Sequence, residues 1–173
     1  MIQKLIAAAA SVLVASLGLT AALDARPQAQ GHIHAAAQAA PTRAVTPMKP
    51  HTGPLPALPR VAFEPPRSMA VVQQVYEFAA RHPEVLQHVP CYCGCERIGH
   101  NGNHDCFIKS RAANGRVSEW DAHGIGCTIC IDVARDALTL FNTGATPTAI
   151  RAAIDAKYGS RFPSSTPTPR PGR

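Results

Sequence analysis

The chain of 173 residues, with 16 prolines and only 5% aromatic residues, has room for one domain of ordinary size. Its formal charge of +6 belongs to the flanks: residues 68–159 carry 8 Lys/Arg against 9 Asp/Glu, a net of −1, and the rest of the chain carries +7. A nucleic-acid-binding domain needs a basic face of its own, so nucleic acid drops out as an expected partner.

Residues 1–25 read as an export signal or N-terminal anchor. Lys4 gives a positive start, and an uncharged stretch of 19 residues rich in Ala, Leu and Val runs from Leu5 to Leu23. Thr20-Ala21-Ala22 or Leu23-Asp24-Ala25 supplies a small-residue cleavage site. Left uncleaved, the same stretch is long enough to span a bilayer. Membrane contact is expected only through it. No Cys closes the segment, so lipidation there is excluded. The rest of the chain is expected to work outside the cytoplasm. Residues 26–67 hold nine prolines among Ala, Gln and Thr, and read as a disordered linker. His32 and His34 lie in it. Residues 160–173 read as a disordered tail of the same kind.

The folded part is expected at residues 68–159, and its signals are helical. Ser68 suits an N-cap, and Val71, Val75, Phe78 and Ala79 recur at helical spacing. His82-Pro83 breaks this helix, because the residue before Pro avoids the α region. Pro83 opens a short second helix that Pro90 ends. From Cys91 to about Gly126 the chain reads as an irregular Cys/His-rich loop. A long helix follows, with Cys127, Cys130, Ile131, Ala134, Leu138 and Phe141 on one face and Gly144 as its stop. Thr146-Pro147 starts the last helix, lined by Ile150, Ile154 and Tyr158. The expectation is a small all-α domain of three to four helices with a long inserted loop. Such a thin core needs a staple, and all six cysteines lie here.

Cys91, Cys93 and Cys95 stand at i, i+2 and i+4 around Gly94, which lets the backbone curl and the sulfurs converge. His100, His104 and Cys106 follow. His123 precedes Cys127 and Cys130, whose i, i+3 spacing at a helix start puts both sulfurs on one face, beside the positive end of the dipole. Clustered thiolates select soft ions. One structural zinc needs four ligands, and here six cysteines and three histidines are at hand. That surplus suits Cu(I), several ions of which share bridging sulfurs; Zn(II) is the alternative.

Pro90-Cys91-Tyr92-Cys93-Gly94-Cys95, Gly99-His100, Asp105-Cys106-Phe107-Ile108, His123-Gly124 and Cys127-Thr128-Ile129-Cys130-Ile131 together resemble the PCYCGC-motif family over about residues 68–158. Its members are exported bacterial proteins, many of them lipoproteins, of largely undefined function. The resemblance implies a shared fold and site, a place in the periplasm or cell envelope of a bacterium, and no particular ligand.

The expected ligands are Cys91, Cys93, Cys95, Cys106, Cys127 and Cys130, with His123, His100 and His104 in support. Asp105 is placed to orient a histidine or to make a turn. The expected role is a non-enzymatic copper chaperone, buffer or resistance protein. Its partner is then a membrane-bound copper transporter or oxidase assembly factor. Two other readings compete. A disulfide- or zinc-stabilised interaction module fits an even cysteine count in an oxidising compartment. A thiol–disulfide redox protein fits the CxxC spacing at Cys127, but no βαβ pattern accompanies it.

Overall fold

The computed structural model describes residues 46–172; the signal segment, the first part of the linker, His32 and His34 lie outside them. Five helices form: α1 (Met69–Arg81), α2 (Pro83–Leu86), α3 (His123–Gly126), α4 (Thr128–Asn142) and α5 (Pro147–Tyr158). Two single 3₁₀ turns, Cys95–Ile98 and Asn103–Cys106, break the middle of the chain.

The fold is not all-α. β1 (Ile108–Arg111) and β2 (Val117–Trp120) pair antiparallel, with Ile108 opposite Trp120 and Arg111 opposite Val117. The domain is therefore mixed α/β. Asn114-Gly115 makes the turn. Gly115 has φ of 90°, its N–H donates to Ala112 O (2.9 Å), and Ala112 N–H donates to Arg116 O (2.8 Å). An Asn-Gly pair between short runs with apolar ends is a strong hairpin signal, and it outweighs the glycine and asparagine content by which this stretch reads as irregular.

The three main helices follow the hydrophobic pattern. α4 packs against both α1 and α5. Val72, Val75 and Ala79 of α1, Ile131, Ala134 and Ala137 of α4, and Ile150 and Ile154 of α5 are essentially sealed from water. Each large aliphatic side chain among them contributes roughly 1.5–3 kcal/mol through burial. Thr146 Oγ1 accepts from Ala149 N–H (3.2 Å), capping α5 as its sequence suggests. Ser68 stands at the start of α1, but its side chain makes no capping bond. Gly144, with φ of 83°, ends α4 in a Schellman arrangement: Ala145 N–H reaches Leu140 O and Gly144 N–H reaches Phe141 O.

The hairpin is fastened to α1 by Arg111 and Tyr76. Arg111 donates to Ala79 O (2.6 Å) and Ala80 O (3.0 Å), carbonyls that the end of α1 leaves open, and to Gly115 O (2.8 Å) in its own turn. Tyr76 packs edge-on against Phe107 and Trp120, and its hydroxyl donates to Asp121 O (2.6 Å). These contacts fix where β2 ends and hence where His123 begins.

Parts of both Pro-rich flanks, expected to be disordered, lie along the domain. His51 is buried: its N–H donates to Ala80 O (2.9 Å) and its Nδ1 accepts from Val117 N–H (2.9 Å). Trp120 Nε1–H donates to Pro56 O (3.2 Å), and Leu55, Leu58 and Val61 rest on the core. In the tail, Thr166 and Thr168 are buried. The physical reason is that extended Pro-rich chain has no internal hydrogen bonds, so its carbonyls and apolar side chains remain free to pair with a neighbouring surface.

Gly124 is required by close approach. A Cβ there would stand 2.6 Å from both Cys106 O and the Phe107 ring. Gly124→Ala is expected to cost about 1–3 kcal/mol by overpacking, read as a fall in Tm.

Candidate metal centre

Each sulfur is held by its own local device. Cys91 lies between the core and the tail: its N–H donates to Thr166 Oγ1 (2.8 Å) and its carbonyl accepts from Thr166 N–H (2.9 Å). Gly94, with φ of 82°, turns the chain back so that Cys95 starts a 3₁₀ turn. That left-handed conformation is why glycine stands there. Cys106 ends the second 3₁₀ turn, which Asn103 ties down on two sides. Asn103 N–H donates to Val89 O (2.8 Å), and its side-chain amide donates to Cys130 O (3.1 Å). Cys127 is the extended N-cap residue of α4, and Cys130 sits in its first turn. His123 opens α3, where its N–H is capped by Asp121 Oδ1 (2.7 Å).

All six sulfurs and one imidazole meet at one place. Cys91 Sγ lies 3.4 Å from Cys93 Sγ and 3.4 Å from Cys130 Sγ. Cys130 Sγ lies 3.6 Å from Cys93 Sγ and 2.8 Å from Cys127 Sγ. Cys95 and Cys106 sulfurs are 3.8 Å apart, and His123 Nε2 stands 3.5 Å from Cys93 Sγ. The atoms fall into two groups whose members all lie within 4.8 Å of one another. One is Cys93, His123, Cys127 and Cys130; the other is Cys91, Cys95 and Cys106. No disulfide joins any of the cysteines.

The other two histidines are placed differently. His104 is buried with both ring nitrogens engaged: Nδ1–H donates to Asp105 Oδ1 (3.2 Å), and Nε2 accepts from Arg111 Nε–H (3.2 Å). It belongs to neither converging group and serves as a structural link between the 3₁₀ turn and the hairpin. Burial pushes its pKa down, against the partial opposing pull of Asp105. Asp105 does orient a histidine, but this structural one. His100 also lies outside both groups. Its ring stands edge-on to that of His123 at 5.4 Å, and its Nε2 is 3.5 Å from Asp121 Oδ2. Asp121 thus holds the backbone of His123 and faces the ring that packs on it. Sequence reading missed Asp121, Asn103 and Thr166, which act through backbone groups and leave no motif.

Protons are shared unequally in the cluster. Hydrogen bonds from Cys106 and Cys130 bring the Cys91 thiol down to about 4. Those from Cys106, Cys127 and Cys130 hold Cys93 as a thiolate. The thiols around it, Cys130 foremost, and burial hold Cys106 protonated. Hydrogen bonding to Cys127 and then Cys93 raises His123 to about 10. Relative to an unfolded histidine near 6.5, this contribution to stability is complete below about pH 6.5 and is lost as pH rises through about 10. In the metal-free protein the His123 ring is expected to titrate near 10 by NMR, and Cys127→Ser is expected to move that midpoint down.

A fold of this kind defines a small α/β domain built around a buried thiol–imidazole cluster able to hold a metal ion, and the donors are of the soft kind. The chain belongs to the family described as "protein of unknown function with PCYCGC motif", whose family model matches residues 18–171. No curated protein and no solved structure matches the chain.

Proposed function

We propose that this domain is an extracytoplasmic Cu(I)-binding protein that carries, buffers or sequesters copper without catalysing a reaction. The observation behind it is the sulfur surplus: six cysteines converge where one zinc ion would use four ligands. Two- and three-coordinate Cu(I) can share thiolates between ions, so contiguous sulfurs suit it. The mostly uncharged N-terminal segment supports export, and a membrane-bound copper transporter or oxidase assembly factor is the fitting partner.

Zn(II) has an observation of its own. Cys93, Cys127, Cys130 and His123 form a Cys₃His set, a composition structural zinc uses. Cys91, Cys95 and Cys106 would then be left as three buried thiols with no role. The two ions are separated by titrating the reduced full-length protein with Cu(I) against a chromogenic chelator, and with Zn(II) in parallel. The expected result is more than one Cu(I) per chain and displacement of bound Zn(II) by Cu(I). One retained Zn(II) with no Cu(I) uptake would overturn the copper reading.

A further inference from the structure

The two groups of ligand atoms differ in exposure. Cys91, Cys95 and Cys106 are all buried, at 0%, 3% and 0% relative exposure. In the other group Cys93, His123 and Cys127 are half-buried, and only Cys130 is sealed. The all-sulfur group is covered: Thr166 brackets the backbone of Cys91, and the α3 backbone at Gly124 lies against Cys106 O and the Phe107 ring. The mixed group faces outward. An open groove of about 620 Å³, lined in part by Pro56, Trp120 and Asp121, meets it at His123. The groups adjoin at Cys91, whose sulfur is 3.4 Å from both Cys93 and Cys130.

The geometry points to a two-compartment metal centre. The outer set (Cys93, His123, Cys127, Cys130) exchanges Cu(I) with a thiolate-bearing acceptor in the groove, and the inner set (Cys91, Cys95, Cys106) retains a second ion reached only through the outer one. This rests on the copper reading and adds to it a division of labour. Transfer is ligand exchange and copper stays at +1. As an acceptor thiolate bonds to the outer ion, Cys127 or Cys93 releases it as a thiolate, so one copper–sulfur bond breaks for each that forms. Cys91 can then bond either ion, which gives the inner ion a stepwise route across sulfurs without being freed into water. Sharing sulfurs also limits buried charge. Three thiolates around one Cu(I) leave a net of −2, and each further ion spread over the same sulfurs reduces the excess.

The test is chelator-driven release from the Cu(I)-loaded full-length protein, followed by stopped-flow absorbance with a chromogenic Cu(I) chelator. Two phases are expected, the slower at least roughly tenfold slower because the buried set must open or hand over first. Cys106→Ser is expected to abolish the slow phase and keep the fast one. Cys127→Ser is expected to abolish the fast phase and lower the stoichiometry. Cys95→Ser replaces Cys106→Ser if that variant does not fold, and the wild-type traces need no variant. Uptake of a single ion, one-phase release, or loss of both phases in Cys106→Ser or its stand-in would overturn the two compartments and leave copper binding intact. Absence of Cu(I) uptake by wild type would remove both readings.

Discussion

Stripping Cu(I) from the loaded protein is expected to lower its Tm by roughly 10 °C or more. An ion that binds only the native state stabilises it by about 2.7 kcal/mol at one hundred times its Kd and about 4.1 kcal/mol at one thousand times. For domains of this size each kcal/mol moves Tm by roughly 3–6 °C. The expectation has a structural basis. Between α2 and α4 the chain holds only two 3₁₀ turns, a two-stranded hairpin and the four-residue α3. It is tied to the helices at separate points: Asn103 to Cys130, Arg111 to the end of α1, Asp121 to Tyr76, and Tyr92 and His88 to Asp155 and Arg151 of α5. Metal held by Cys91, Cys95 and Cys106, and by Cys93 and His123 with Cys127 and Cys130 at α4, would add bonds within this stretch and from it to α4. Thermal melts with and without chelator check this, and equal Tm values would show that the ion stabilises nothing.

The second large effect is expected from Cys130→Ala. Cys130 Sγ has three sulfurs close by, at 2.8, 3.4 and 3.6 Å from Cys127, Cys91 and Cys93. Removing an outer partner of a ligand costs about 10–100-fold in metal affinity, and removing a shared ligand is expected to exceed that. Truncating one small buried thiol leaves a modest cavity, so the metal-free Tm is expected to fall far less than the affinity does. His104→Gln is expected to do the reverse. Its imidazole binds Arg111 and Asp105, so the fold weakens and the loaded stoichiometry stays unchanged. Competition titrations beside melts separate the two patterns.

How much of this could be read from sequence depends on what each residue does. α1, α4 and α5 were legible because Val75, Ile131, Ala134, Ile150 and Ile154 repeat at helical spacing and do bury one face. The convergence of the cysteines was legible too. Only a turn at Gly94 and a helix start at Cys127 are needed to aim five of the six sulfurs, and both are local features. The hairpin was missed because the glycines and asparagines between Cys91 and Gly126 read as loop, although Asn114-Gly115 among them is itself a turn signal between two strands. The packing of the Pro-rich flanks was missed because composition weighs a segment's own apolar surface. His51 and Thr166 hold on by hydrogen bonds to distant backbone. His123 and His104 look alike in sequence. What separates them is the company the fold supplies, thiols for one and Arg111 with Asp105 for the other.

The whole account requires reduced sulfurs from the CYCGC turn and from the start of α4 to hold the same metal. X-ray absorption at the copper edge, on the Cu(I)-loaded full-length protein, reads this directly. The expected spectrum is that of Cu(I) in a sulfur-dominated shell with copper–copper scattering from shared thiolates. A shell of nitrogen and oxygen alone, with no sulfur at bonding distance, would contradict it.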